Sequence, residues 1–207
     1  MEIRNITINK LKADKLTEEL PEFYELKKII ENNPWHNNES TFVHTIAVLS
    51  ELQKFFRNNK NAKLKIYLNK RVDNYTRKDL LFLATVLHDL GKKETITKNG
   101  KISAFPKHEE VSVVKARKIL KKFDLSKNEK DIVLGIIKKH SYLHSIMEEE
   151  NKNLKAQFEK LKNSSKHYFP ELIIMVMTDT TSSFLKKTNS GKYNFRVNYY
   201  KDTLKKI

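Results

Sequence analysis

Leu80-Leu81-Phe82-Leu83-Ala84-Thr85-Val86-Leu87-His88-Asp89-Leu90-Gly91-Lys92 is the stretch on which the fold turns. Its first eight residues are apolar except for Thr85, without strand-like alternation, and read as a helix buried around most of its girth. That helix then runs into a histidine and a carboxylate side by side. Burying both is costly unless each finds a partner. Adjacent helical residues diverge by about 100° around the axis, so His88 and Asp89 can face one centre only where the helix frays. Gly91 marks such an end, at a position where helices favour a left-handed residue. The partial negative charge of a helix C-terminus favours a cation at that place.

The rest of the chain supports a helical class. Gly and Pro number only four each in 207 residues, while Leu, Lys, Ile and Glu abound, which argues against a glycine-turned β sandwich. A hydrophobic fraction of 39% suffices for a core. Helices are expected over about Thr17–Asn32, with Glu18 and Glu19 at its start, and over Ser40–Asn58, which is apolar on many sides and turns His44 toward protein. Residues 57–78 read as a basic connector, and a loop of mixed polarity leads to Pro106. Further helices are expected at about His108–Phe123, at Lys127–Leu143 behind the capping box Ser126/Glu129, and at Ser145–Asn163. Pro170 suits a first turn and opens an apolar run that ends in Asp179. The expectation is one all-α domain over residues 1–207, a single helical bundle. Its core spans about 20–185, with an N-terminal arm (1–16) and a basic aromatic tail (186–207).

Several function classes drop out. There is no cysteine, hence no disulfide or thiolate site. No G-x-x-x-x-G-K-[ST] loop, H-E-x-x-H or G-x-S-x-G motif occurs. The N-terminus lacks a signal-peptide pattern and no long apolar run suggests a membrane span, so a cytoplasmic protein is expected.

What remains is a dispersed set of His and Asp: His44, His88-Asp89, His108, His140 and Asp179. Asp179 follows an apolar run and is a poor core residue unless it meets a cation; bonding to Thr180 or Ser182 at a helix exit is the plainer alternative. His140 falls on the face of Ile136 and Ile137. His144, one turn on, competes for the same role, and spacing does not choose between them. A divalent cation would tie these distant residues into one site. Imidazole and carboxylate ligands without sulfur suit Mn, Fe, Ni, Co, Mg or Zn. The chemistry expected is hydrolysis of a phosphate ester by a metal-activated water.

The formal charge of +16 fits a nucleotide or RNA partner, although the excess is mostly Lys, which an AT-rich genome also favours. The segment Lys192-Tyr193-Asn194-Phe195-Arg196-Val197-Asn198-Tyr199-Tyr200-Lys201 interleaves cations with aromatics, as single-stranded RNA surfaces do.

The motifs resemble the HD superfamily of metal-dependent phosphohydrolases. The likeness is strongest to the HD domain of bacterial CCA-adding tRNA nucleotidyltransferases, over residues 20–145 with a weaker continuation to Asp179. It rests on Leu20-Pro21-Glu22, Asn33-Pro34-Trp35-His36-Asn37-Asn38-Glu39, Phe42-Val43-His44-Thr45, Leu87-His88-Asp89-Leu90-Gly91-Lys92 and Lys107-His108-Glu109-Glu110. The resemblance implies His44, His88, Asp89 and Asp179 as metal ligands, with His108 and His140 completing a second site where two ions bind. Asp89 would then bridge the ions. It implies Asp89 and Lys92 as catalytic, with Lys92 meeting a substrate phosphate, while His36 and Thr180 are further candidates for substrate contact. The Gly-Ser and paired-Asp signature of the tRNA enzymes' nucleotidyltransferase head does not occur in these 207 residues, so a stand-alone HD domain is expected. Nor does the Gly-Tyr-Pro motif of HD enzymes that cleave cyclic dinucleotides occur. The implied activities are phosphodiesterase on 2′,3′-cyclic nucleotides or RNA ends and phosphatase on monoesters. The alternatives are a non-catalytic RNA-binding module, a nucleoside 5′-phosphatase or a deoxynucleoside triphosphate hydrolase.

Overall fold

The computed structural model describes residues 1–148 and 150–207. The helices are α1 (Ile8–Lys12), α2 (Pro21–Glu25), α3 (Thr41–Asn58), α4 (Ala62–Asn69), α5 (Arg77–Leu87), α6 (Lys92–Thr95), α7 (His108–Ile119), α8 (Lys127–Ile146), α9 (Leu154–Ser164), α10 (Phe169–Ser182), α11 (Leu185–Thr188) and α12 (Ser190–Lys205). Two small antiparallel hairpins accompany them, β1 (Ile30–Asn33) with β2 (His36–Ser40) and β3 (Thr97–Asn99) with β4 (Ile102–Ala104). The protein is an all-α helical bundle. Among the described residues, no helix is long and apolar enough to cross a membrane.

α10 is the central element. Every residue from Phe169 to Thr178 is buried, and the helix packs on α3, α5, α8 and α12. Helix starts follow side-chain chemistry. Thr76 and Asp79 form a capping box at α5, Ser126 and Glu129 another at α8, and the Ser40 hydroxyl accepts from Val43 N at α3. Glu129 also accepts from the amides of Asp73 and Tyr75 at 3.3 and 2.6 Å, so the cap that starts α8 holds the turn before α5.

Six expectations are corrected. The helix over 17–32 is instead α2, a 3-10 turn at Leu26–Lys28 and strand β1. Pro21 can open a helix but cannot continue one from Thr17, and the Asn-rich turn around Pro34 favours a hairpin, with Asn38 left-handed (φ 53°). The connector 57–78 contains α4. The segment 1–16 is no loose arm, because Ile3, Ile6, Ile8, Leu11 and Leu16 join the main core. The helix expected at 145–163 is the end of α8 and a separate α9; Glu149, which it would include, lies outside the described residues. Gly91 is not left-handed (φ −80°). Its need is space: a Cβ there would meet the His108 carbonyl at 2.2 Å and Ser112 N at 2.7 Å. The tail forms α11 and α12, and α12 turns Arg196, Val197, Tyr200 and Leu204 into the bundle.

A buried polar cluster joins three helices away from the His and Asp residues. Arg77 Nη1 donates to Glu171 Oε1 at 2.7 Å, and the Tyr67 hydroxyl donates to Glu171 Oε2 at 2.9 Å. Burial raises the Glu171 pKa, and Arg77 offsets this only in part. Arg77→Met should cost about 3 kcal/mol in urea denaturation, because it strands a buried carboxylate. Arg77→Met with Glu171→Leu should cost less than the single change.

Candidate metal centre

Six elements converge on one spot. α3 carries His44, and the end of α5 delivers His88 and Asp89. α6 brings Lys92, the first residue of α7 is His108, α8 supplies His140 and His144, and α10 supplies Asp179. The ligand atoms of His44, His88 and Asp179 lie within 4.8 Å of one another, and so do those of Asp89, His108 and His140. The two triads adjoin through the peptide bond between His88 and Asp89. A third group, His36, Glu39 and His44, shares His44 with the first.

Hydrogen bonds to the backbone fix which ring nitrogens face the site. His88, His108 and His140 each donate Nδ1–H to a backbone carbonyl, at Thr85 (2.8 Å), Phe105 (2.9 Å) and Ile137 (2.6 Å). A carbonyl only accepts, so in each neutral ring the free lone pair is on Nε2, turned into the site. His108 Nε2 and His140 Nε2 then face each other at 3.1 Å. The Ser141 hydroxyl, 3.3 and 3.2 Å from them, can donate to only one. Buried His88 Nε2 and Asp89 Oδ2 have no aligned hydrogen bond, although they lie 3.1 Å apart. Inward-facing lone pairs beside a buried carboxylate fit a divalent cation.

Burial would raise the Asp89 pKa, but the charges of His88 and Lys92 and the contact with His108 outweigh it and hold the carboxyl well below its usual range. Burial likewise opposes ionisation of Asp179, and bonds from His144 and His44 win, again well below the usual range. The carboxylates also act on the rings: burial lowers the His44 and His88 pKa values, but Asp179 and Asp89 respectively outweigh it and raise both, so a cation would displace protons from these two rings. His140 is held well below the ordinary imidazole value by burial and by neighbouring His108 and His88, which favours the neutral ring that a cation needs.

His140 and His144 do not compete. His140 belongs to the Asp89 triad, whereas His144 Nε2 lies 2.7 Å from Asp179 Oδ2. Arg196 Nη1 is 3.3 Å from His144 Nδ1, and a guanidinium can only donate. Neutral His144 therefore carries its proton on Nε2 and donates it to Asp179. His144 orients a carboxylate, while His88, His108 and His140 present lone pairs.

Lys92 is expected to meet a substrate phosphate. In the structure it is buried, donates to both Glu31 oxygens at 3.0 and 2.9 Å, and lies 2.9 Å from Asp89 Oδ2. Two carboxylates balance its charge, and it also borders the cleft. His36 lies between carboxylates, with Nε2 3.2 Å from Glu31 and Nδ1 3.0 Å from Glu39, at the edge of the cleft. Thr180 does not reach the cleft. It is fully buried and donates to the Val176 carbonyl at 2.8 Å, the side chain pointing into the bundle. Glu31, Glu39 and Arg196 were not singled out in sequence as site residues. Glu31 falls in a segment read as helix, while Glu39 lies in the motif around Trp35-His36 and Arg196 in the cationic aromatic segment 192–201, neither with a role of its own.

The triads open into a cleft of about 340 Å³, whose walls include Trp35, Ser141, His144, Ser183 and Arg196. A groove of about 310 Å³ on another face, lined by Ile3, Arg4, Phe56 and Lys78 among others, has no such cluster. Compared with protein-family models, residues 41–168 match the model described as HD domain. That segment carries every site histidine except His36.

Two variants test the supporting layer. Glu31→Gln should weaken Mn²⁺ binding by about 10- to 100-fold in titration calorimetry, as changes behind a ligand shell do. Gly91→Ala should weaken it comparably by pushing the first turn of α7, and His108 with it, away from Asp89.

Proposed function

The chain belongs to the HD domain family of metal-dependent phosphohydrolases, and on that premise we propose that it hydrolyses phosphate esters of nucleotides. The substrates are phosphodiesters, as in 2′,3′-cyclic nucleotides or RNA ends, and phosphomonoesters. One observation carries this reading: the two triads share the His88–Asp89 dipeptide and open into a single cleft. The likeness of the segments around Trp35-His36 and Lys107-His108 to the HD domain of CCA-adding enzymes supports the pairing of diester with monoester chemistry.

His44, His88 and Asp179 would hold one divalent cation, and Asp89, His108 and His140 a second. When bound, such cations supply an activated water and offset charge on the phosphoryl oxygens. The chain's own residues do the rest. Lys92 keeps Asp89 ionised, and Glu31 holds Lys92 in place. His144, aligned by Arg196, keeps Asp179 ionised. The Ser141 hydroxyl stands beside the facing His108 and His140 nitrogens and offers a donor to a phosphate oxygen. Burial of His88, Asp89 and His140 keeps the dielectric low, where oriented charges count most.

The test uses metal-stripped protein, with Mn, Fe, Ni, Co, Mg or Zn restored singly. Substrates are 2′,3′-cyclic AMP, bis-p-nitrophenyl phosphate and p-nitrophenyl phosphate. Turnover should return with at least one ion, and Asp89→Ala, checked for folding by circular dichroism, should lose at least about 100-fold. Full activity in Asp89→Ala would overturn the assignment. No turnover, with salt-sensitive RNA binding indifferent to Asp89→Ala, would mark a binding module instead.

A further inference from the structure

α12 carries two cations one helical turn apart, Arg196 lining the cleft and Lys192 reaching the cleft residues Glu148 and Trp35. Lys192 Nζ lies 2.6 Å from Glu148 Oε2, and Arg196 Nη2 donates to Glu148 Oε1 at 2.7 Å. Each carboxylate oxygen thus faces one cation. Glu148 itself is about a third exposed and borders the cleft. Arg196 is 1% exposed, yet its Nε has no partner. Its guanidinium packs over the Trp35 ring at 4.4 Å, and Lys192 Nζ is 5.7 Å from the same ring. Burying a guanidinium is costly, and one carboxylate neutralises only half of this pair. Two cations on a fork-shaped anion are also the arrangement that binds phosphate.

We propose that Lys192 and Arg196 form a subsite for a second phosphate of the substrate, and that Glu148 occupies this subsite until that phosphate displaces it. This rests on the phosphohydrolase reading and narrows the substrate. Only the His144 ring, with a hydrogen-bonding contact on each side, separates Arg196 from Asp179. A substrate with one phosphate at the triads therefore presents a neighbouring phosphate, across a ribose, to the α12 pair. The preferred class is a nucleotide with two phosphates separated by a sugar, either a nucleoside bisphosphate or the last linkage of an RNA end. A mononucleotide uses the triads alone.

Trp35 is the sole tryptophan in the chain, so its fluorescence reports on the subsite without catalysis. The probes are adenosine 3′,5′-bisphosphate, the dinucleotide ApA bearing a 3′-phosphate, and AMP, titrated into metal-free protein. The two-phosphate probes should change Trp35 emission at concentrations at least about tenfold below AMP. Lys192→Ala should remove that advantage, and Glu148→Gln should strengthen it. In turnover, Lys192→Ala should raise KM for the two-phosphate substrates about tenfold and leave p-nitrophenyl phosphate hydrolysis unchanged. The two arms separate a free bisphosphate from an RNA end by which binds more tightly. Equal affinity for AMP and the bisphosphates, or no response to Glu148→Gln, would overturn the subsite. Because binding is read without metal, preferential binding without turnover would retain the subsite and count against the phosphohydrolase reading.

Discussion

The structure depends on keeping Asp89 ionised although its side chain is buried. A lone buried carboxylate would take up a proton. Here His88 lies on one oxygen, His108 on the other, and Lys92 arrives from the next turn with its charge shared by Glu31. His88 and Lys92 are close in sequence, but His108 and Glu31 come from elsewhere, so holding this one charge ties the end of α5 and α6 to the start of α7 and to hairpin β1–β2. Gly91 exists for the same reason, since the first turn of α7 closes on its Cα. The fold and the site are one constraint.

A second charge repeats the pattern. Asp179, at the last turn of the most buried helix, is gripped by His44 and His144, and His144 is in turn aligned by Arg196 from α12. The C-terminal segment therefore closes the site as well as covering the bundle. Its aromatic residues follow suit: Tyr200 is buried, and Tyr199 packs edge-on against Phe158 at 4.9 Å.

Most of the helical core was legible because its signals are local. The apolar runs at 80–87 and 172–178 and the Ser126/Glu129 cap each encode an element within a few residues. His44, His88, Asp89, His108, His140 and Asp179 stood out because polar residues in buried stretches need partners, and the structure does gather them into two triads. Glu31, Glu39 and Arg196 did not stand out. Glu31 reaches Lys92 only because Ile30–Asn33 pairs as a strand, and a strand turns alternate residues to opposite faces. A charged residue in a basic, polar segment carries no sign of burial until a partner from elsewhere covers it.

The sequence by itself determined a helical bundle and the presence of a cation-seeking cluster, because periodicity and misplaced polarity are properties of short segments. Tertiary structure alone decided which histidines present a lone pair and which donates a proton, because that depends on the carbonyl or guanidinium each ring meets across the fold. It also decided that Lys92 balances carboxylates and that Arg196 of the basic tail lines the cleft, since a charge acquires its role from the charges packed against it.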